Sequence, residues 1–140
     1  MRNVYETLKS CKYFIDNEYL KKYCQVIERH TRTKYIVRRT HKHHIIPKSW
    51  FKLTNNTINN DLNNLVNLPI REHFLVHYYL CLCTEDPFMF ANQLALVCLQ
   101  AKIHTDIKLL HNLPLYNIIY EDYKKKLESG YRLYENTRGT

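Results

Sequence analysis

From Ile70 to Cys83 the chain reads IREHFLVHYYLCLC, without glycine or proline, and Pro69 stands immediately before it. A proline at the start of a helix costs little, because the N–H it lacks has no intrahelical partner there. The spacing predicts one helix over 70–83, to which the rest of the chain must fit. A second is expected after Asp86-Pro87, which reads as an N-cap followed by proline and opens an apolar stretch through Phe88, Ala91, Leu94, Ala95, Cys98 and Leu99. A third starts near Pro114, runs through Tyr116, Ile119, Tyr123 and Leu127, and stops at Gly130, a plausible C′ residue. Upstream, residues 4–29 carry apolar side chains in a roughly helical period from Asp16 onward, among them Tyr19, Leu20, Tyr23 and Ile27. One or two amphipathic helices are expected there.

Little β-structure is left to assign. The chain has only two glycines in 140 residues, which argues against a tight-turn all-β fold. Residues 34–39, KYIVRR, and His44-Ile45-Ile46 read as two short strands that form a hairpin with each other. The stretch FKLTNNTINNDLNNLVN, residues 51–67, is dense in Asn and Asp, which bond their own backbone, and reads as an ordered loop. Residues 131–140 read as a polar, mobile tail. The expected class is α+β, mainly helical, in a single domain.

Twenty-one Lys and Arg against thirteen Asp and Glu give a formal charge of +8, which favours a polyanionic partner such as DNA, although anionic membranes attract the same charge. No stretch approaches the roughly 18 apolar residues of a membrane span, and the N-terminus has no long apolar signal segment. Five irregularly spaced cysteines do not suggest a disulfide framework. The expectation is an intracellular protein with reduced thiols, DNA as partner and no membrane association.

Histidines carry the chemistry. His73 and His77 are four residues apart, so on a helix they share one face and can hold one metal. With Phe74, Tyr78 and Cys81 near that face, a buried, hydrogen-bonded histidine pair is the alternative. In HKHHIIPKSW, residues 41–50, His43 and His44 point to opposite sides if the backbone is extended. One can then ligate a metal beside the helix while the other serves as a general base, a task suited to an unperturbed pKa of about 6.5. Cys81 and Cys83 lie two apart, point away from each other on a helix and read as core thiols rather than zinc ligands.

HHIIP at 43–47, the Asn-rich loop and NLVNLPIREHFLVH at 64–77 together resemble the HNH endonucleases, most of all phage-type proteins related to homing endonucleases. The resemblance implies a central ββα-metal motif over residues 34–83, flanked by N-terminal helices in 1–33 and C-terminal helices in 84–130. It implies His43, His73 and His77 as ligands of one divalent ion, His44 as the base that activates water, and Asn64 as the residue that fixes the loop and orients His44. A three-imidazole set favours Zn²⁺, Ni²⁺ or Mn²⁺ over Mg²⁺. The activity implied is hydrolysis of a DNA phosphodiester to 5′-phosphate and 3′-hydroxyl ends, one nick per site, by a monomer or a homodimer.

Two positions depart from the family pattern. Pro69 stands where relatives often place a capping threonine, and His41 where many carry Glu. His41 reads as a solvated loop residue in preference to a partner of the ligands or a phosphate contact. Arg38, Arg39, Lys42, Lys48, Lys52 and Arg71 are the basic residues expected to meet flanking phosphates. Trp50 reads as core packing beside the hairpin, and the lysine run in YKKKLESGYRLY as either a DNA contact or a solvated face. The competing function is a non-catalytic module in which the metal only braces a nucleic-acid-binding fold.

Overall fold

The strand that carries the histidines, β1 (Thr40–His44), pairs antiparallel with β2 (Leu65–Pro69), and His43 lies opposite Val66 while His44 lies opposite Leu65. The computed structural model describes residues 3–32, 40–103 and 113–131. Residues directly opposite in such a pair share a sheet face, so His41, His43, Val66 and Leu68 line one side and Lys42, His44, Leu65 and Asn67 the other. Burial follows that alternation: His43, Val66 and Leu68 are buried, whereas Lys42 and Asn67 are exposed.

The order along the chain is α1 (Val4–Leu8), α2 (Glu18–Arg32), β1, α3 (Lys48–Leu53), a short 3₁₀ turn at Leu62–Asn64, β2, α4 (Ile70–Leu82), α5 (Phe88–Ile103) and α6 (Tyr116–Glu128). This is an α+β architecture, mostly helical, with a two-stranded antiparallel sheet. No helix among the described residues is long and apolar enough to cross a membrane.

Helix α4 is the centre of the molecule. It begins directly after Pro69, whose extended ψ of 153° turns the chain from β2 into the helix without any side-chain cap. Apolar residues surround it almost completely, the pattern of a helix buried on more than one side. One side contributes Val76 and Leu80 to a core with Leu8, Leu20, Tyr23, Ile27, Ile45, Val66, Leu68 and Phe88. The other contributes Phe74, Tyr78 and Cys81 to a second core with Leu96, Leu99, Tyr116 and Ile119. A helix gripped between two cores presents His73 and His77 from a rigid support.

Polar side chains fix the helix ends. Asn17 Oδ1 accepts from the backbone N–H groups of Tyr19 and Leu20 at the start of α2, and its Nδ2 donates to the Leu82 carbonyl at the end of α4. Asp86 Oδ1 accepts from Phe90 N at 3.0 Å, although α5 begins at Phe88, one residue later than an N-cap at Asp86 with Pro87 as the first helical residue would place it. Gly130, at φ +82°, ends α6 in the left-handed conformation anticipated for a C′ glycine.

The strand assignments differ from expectation. His44 ends β1, and Ile45-Ile46 leave the sheet to enter the core. Among the described residues the partner of β1 is the LVNLP segment, inside the supposed 51–67 loop and beyond it; KYIVRR, residues 34–39, lies outside the described residues. Val66 and Leu68 supply the period-two burial that stabilises this pairing. The same stretch also begins with part of α3, where Phe51 is buried and Trp50 donates its indole N–H to the Lys12 carbonyl at 2.8 Å. The tail beyond Tyr131 lies outside the described residues.

Candidate metal centre

The face of β1 that carries His41 and His43 is covered by α4, which brings His73 and His77 to it. His73 Nε2 and His77 Nε2 are 3.0 Å apart, as the four-residue spacing allows. The ring centres of His43, His73 and His77 are separated by 5.4, 5.2 and 4.7 Å, and one nitrogen from each lies within 4.8 Å of the others. Three imidazoles bound tetrahedrally to one ion at the usual ~2.0–2.1 Å have ring centres roughly 5 Å apart.

The protonation state suits such an ion. Burial is the main cause that lowers all three pKa values: His43 falls well below the ordinary imidazole range, with the neighbouring histidines adding to the effect. Burial with His41 and Lys102 nearby brings His73 to about 4, and burial with His73 nearby brings His77 to about 3. At neutral pH all three are neutral and keep the lone pairs a metal requires. Among the described residues His77 Nδ1 is buried with no hydrogen-bond partner. Three neutral imidazoles with one nitrogen each turned to a common point are a donor set that can hold a metal ion.

Two neighbours not assigned to the site from the sequence complete it. Tyr23, fully buried on α2, lies 2.7 Å from His43 Nε2 and 2.7 Å from the Ile45 carbonyl. Burial holds its hydroxyl well above the ordinary phenol range, so it stays an O–H donor. His41, expected to be a solvated loop residue, instead sits within β1 with its Nδ1 2.8 Å from His73 Nδ1. Period two accounts for this placement: with His43 buried against α4, the residue two positions earlier faces the same helix.

His44 projects from the opposite face of β1. It is partly exposed, and its Nε2 lies 2.8 Å from Oδ1 of Asn60, a residue that sequence reasoning missed. Asn64 is fully buried, and its bonds run to the backbone on both sides of the Asn-rich loop. Its Oδ1 accepts from Ile46 N, its Nδ2 donates to the carbonyls of Ile46 and Asn59, and its own carbonyl accepts from Ile45 N. Asn64 thus ties the segment just after His44 to the residue just before Asn60.

His43, His44, His73 and His77 open onto a cleft of about 630 Å³. Lys42, Lys48 and Lys52 also line it, and Ala91, Leu94 and Ala95 of α5 form an apolar wall. Arg71 is exposed but does not line this cleft, and Arg38 and Arg39 lie outside the described residues. Of the lysine run in α6, Lys126 is bound to Asp86, Asp122 and Gln93, which makes it part of the fold. Cys81 and Cys83 are buried free thiols, distinct from the histidine cluster.

No protein-family model, curated protein or solved structure matched the chain in the comparisons made with each.

Proposed function

We propose that the chain is a metal-dependent DNA endonuclease of the HNH type, with a ββα-metal site formed by β1, β2 and α4. The observation that carries the reading is the opposite facing of adjacent residues: His43 turns inward to His73 and His77, while His44 projects from the other face of β1 with Asn60 at its Nε2, and all four histidines line one cleft with Lys42, Lys48 and Lys52. The spacing of HHIIP and the helix pair, and the charge of +8, support the same reading.

In the mechanism, Asn60 Oδ1 accepts the proton on His44 Nε2, which leaves Nδ1 with the lone pair that takes a proton from the attacking water. Lys42, Lys48 and Lys52 hold phosphates of the strand in the cleft and position it without reading its sequence. His43, His73 and His77 would hold the ion, Zn²⁺, Ni²⁺ or Mn²⁺ in preference to Mg²⁺. When bound, a divalent ion there supplies charge neutralisation at the phosphate and at the departing 3′ oxygen. The products are a 5′-phosphate and a 3′-hydroxyl. One site makes one cut, so the primary product on duplex DNA is a nick, directed to particular sites as in the homing-type proteins the motif resembles.

Incubation of the pure protein with supercoiled plasmid and a panel of divalent ions tests the reading, with the cut position mapped. Ion-dependent nicking is expected. Metal and DNA binding without cleavage under any ion would leave the non-catalytic module in its place, and random nicks would remove the site-directed part alone.

A further inference from the structure

We propose that Tyr23, from a helix outside the strand and helix that carry the histidines, is a positioning residue that dictates which nitrogen of His43 serves as the ligand. The inference rests on the metal reading given above, but its first step concerns hydrogen bonds alone. The Tyr23 hydroxyl has one proton and two close neighbours, each at 2.7 Å. The Ile45 carbonyl can only accept, so the hydroxyl proton goes there. Its oxygen then faces His43 Nε2 as an acceptor, and Nε2 must carry the imidazole proton. In a neutral imidazole the lone pair is consequently left on Nδ1.

Two consequences follow for the site. His43 offers Nδ1 to an ion, and Tyr23 supplies the outer hydrogen bond that ligating histidines generally need to hold their tautomer and ring orientation. In addition, a single hydroxyl holds the residues on both sides of His44, through the side chain of His43 and the backbone of Ile45. The inward tilt of the ligand and the outward projection of the base are thereby set from one point on α2. Tyr23 is fully buried and its ring meets that of His43 edge-on, with centres 5.9 Å apart, so neither partner has room to drift.

Nitrogen-15 NMR of the histidine side chains tests this first in the metal-free wild type, where His43 is expected to be the Nε2–H tautomer. A His43 that carries its proton on Nδ1 overturns the proposal whether or not the protein binds metal. Zn²⁺ is then added: ligation of His43 through Nδ1 is expected, and ligation through Nε2 overturns the proposal while leaving the metal reading intact. Absence of Zn²⁺ binding to a folded wild type instead sinks the metal reading. Tyr23→Phe keeps the ring and removes the hydroxyl, and is expected to weaken Zn²⁺ binding by about 10- to 100-fold. Unchanged affinity in a folded Tyr23→Phe protein also overturns the assignment.

Discussion

His43 and His44 are consecutive in the chain but belong to different environments: the first is 3 % exposed beneath α4, and the second reaches outward to Asn60. Extended backbone is what separates them, since successive side chains on a strand point to opposite faces. On a helix the two rings would diverge by only about 100°. The two roles should therefore be separable by mutation. His44→Ala is expected to lower the nicking rate by about 10²- to 10⁴-fold while the protein binds one ion as the wild type does. Cleavage by His44→Ala at the wild-type rate would eliminate His44 as the base.

Asn60 gives a finer test of the same proton transfer. Asn60→Ala frees the His44 ring, and a loss of about tenfold in kcat with little change in KM is expected. Asn60→Asp keeps an acceptor at the same place and should retain more activity than Asn60→Ala. If both variants cleave at the wild-type rate, Asn60 does not orient the base.

The metal-free protein should lose stability in acid because of the same three imidazoles. Their folded pKa values lie below the unfolded value of about 6.5, so the unfolded chain binds more protons in the interval between. The stabilising effect is complete above that unfolded value and is lost as the pH falls toward about 4 for His73 and about 3 for His77. Urea midpoints of the metal-free protein should decline progressively below about pH 6.5. A His77→Ala variant should show a shallower decline over that range, and identical slopes for the two proteins would contradict the assignment.

How much of this was legible before the structure depends on which interactions are local. Helices α4, α5 and α6 were legible because proline, Asp-Pro and glycine mark their ends and nothing interrupts them. The partner of β1 was not: LVNLP is a five-residue strand at the end of an Asn-rich run, and its register with β1 is set by burial of Val66 and Leu68. The helix pair His73 and His77 follows from spacing alone, but its convergence with His43 depends on how α4 folds back over the sheet. Tyr23 reads in the sequence as one apolar residue in the helical period of residues 16–29, and its context carries no sign of its hydroxyl's partners. Asn60 was one of several asparagines in the same loop. Only a nonlocal contact distinguishes it.

Asn64 should couple stability to activity. Its side chain makes three buried or part-buried hydrogen bonds that close the loop between Ile46 and Asn59. Asn64→Ala removes all of them and leaves buried backbone groups unpaired, at a cost of about 2–4 kcal/mol. Activity should fall as well, because the loop places Asn60 against His44. Denaturant unfolding and plasmid nicking on the same samples check this. A large stability loss with an unchanged turnover number for the folded fraction would confine Asn64 to the fold.

The cleft lysines make a final prediction, about DNA rather than chemistry. Lys42, Lys48 and Lys52 line the cleft, whereas Arg71 is exposed outside its lining. A lysine that neutralises a phosphate releases a condensed counterion, so its loss lowers the slope of log affinity against log salt by about 0.9 on duplex DNA. Each of Lys42→Ala, Lys48→Ala and Lys52→Ala should weaken binding at low salt, by similar factors on all sequences, and flatten that slope. Arg71→Ala should change both less. Titrations with a fluorescent duplex at several salt concentrations measure the two quantities together, and equal effects from Arg71 and the three lysines would mean that the duplex does not follow the cleft.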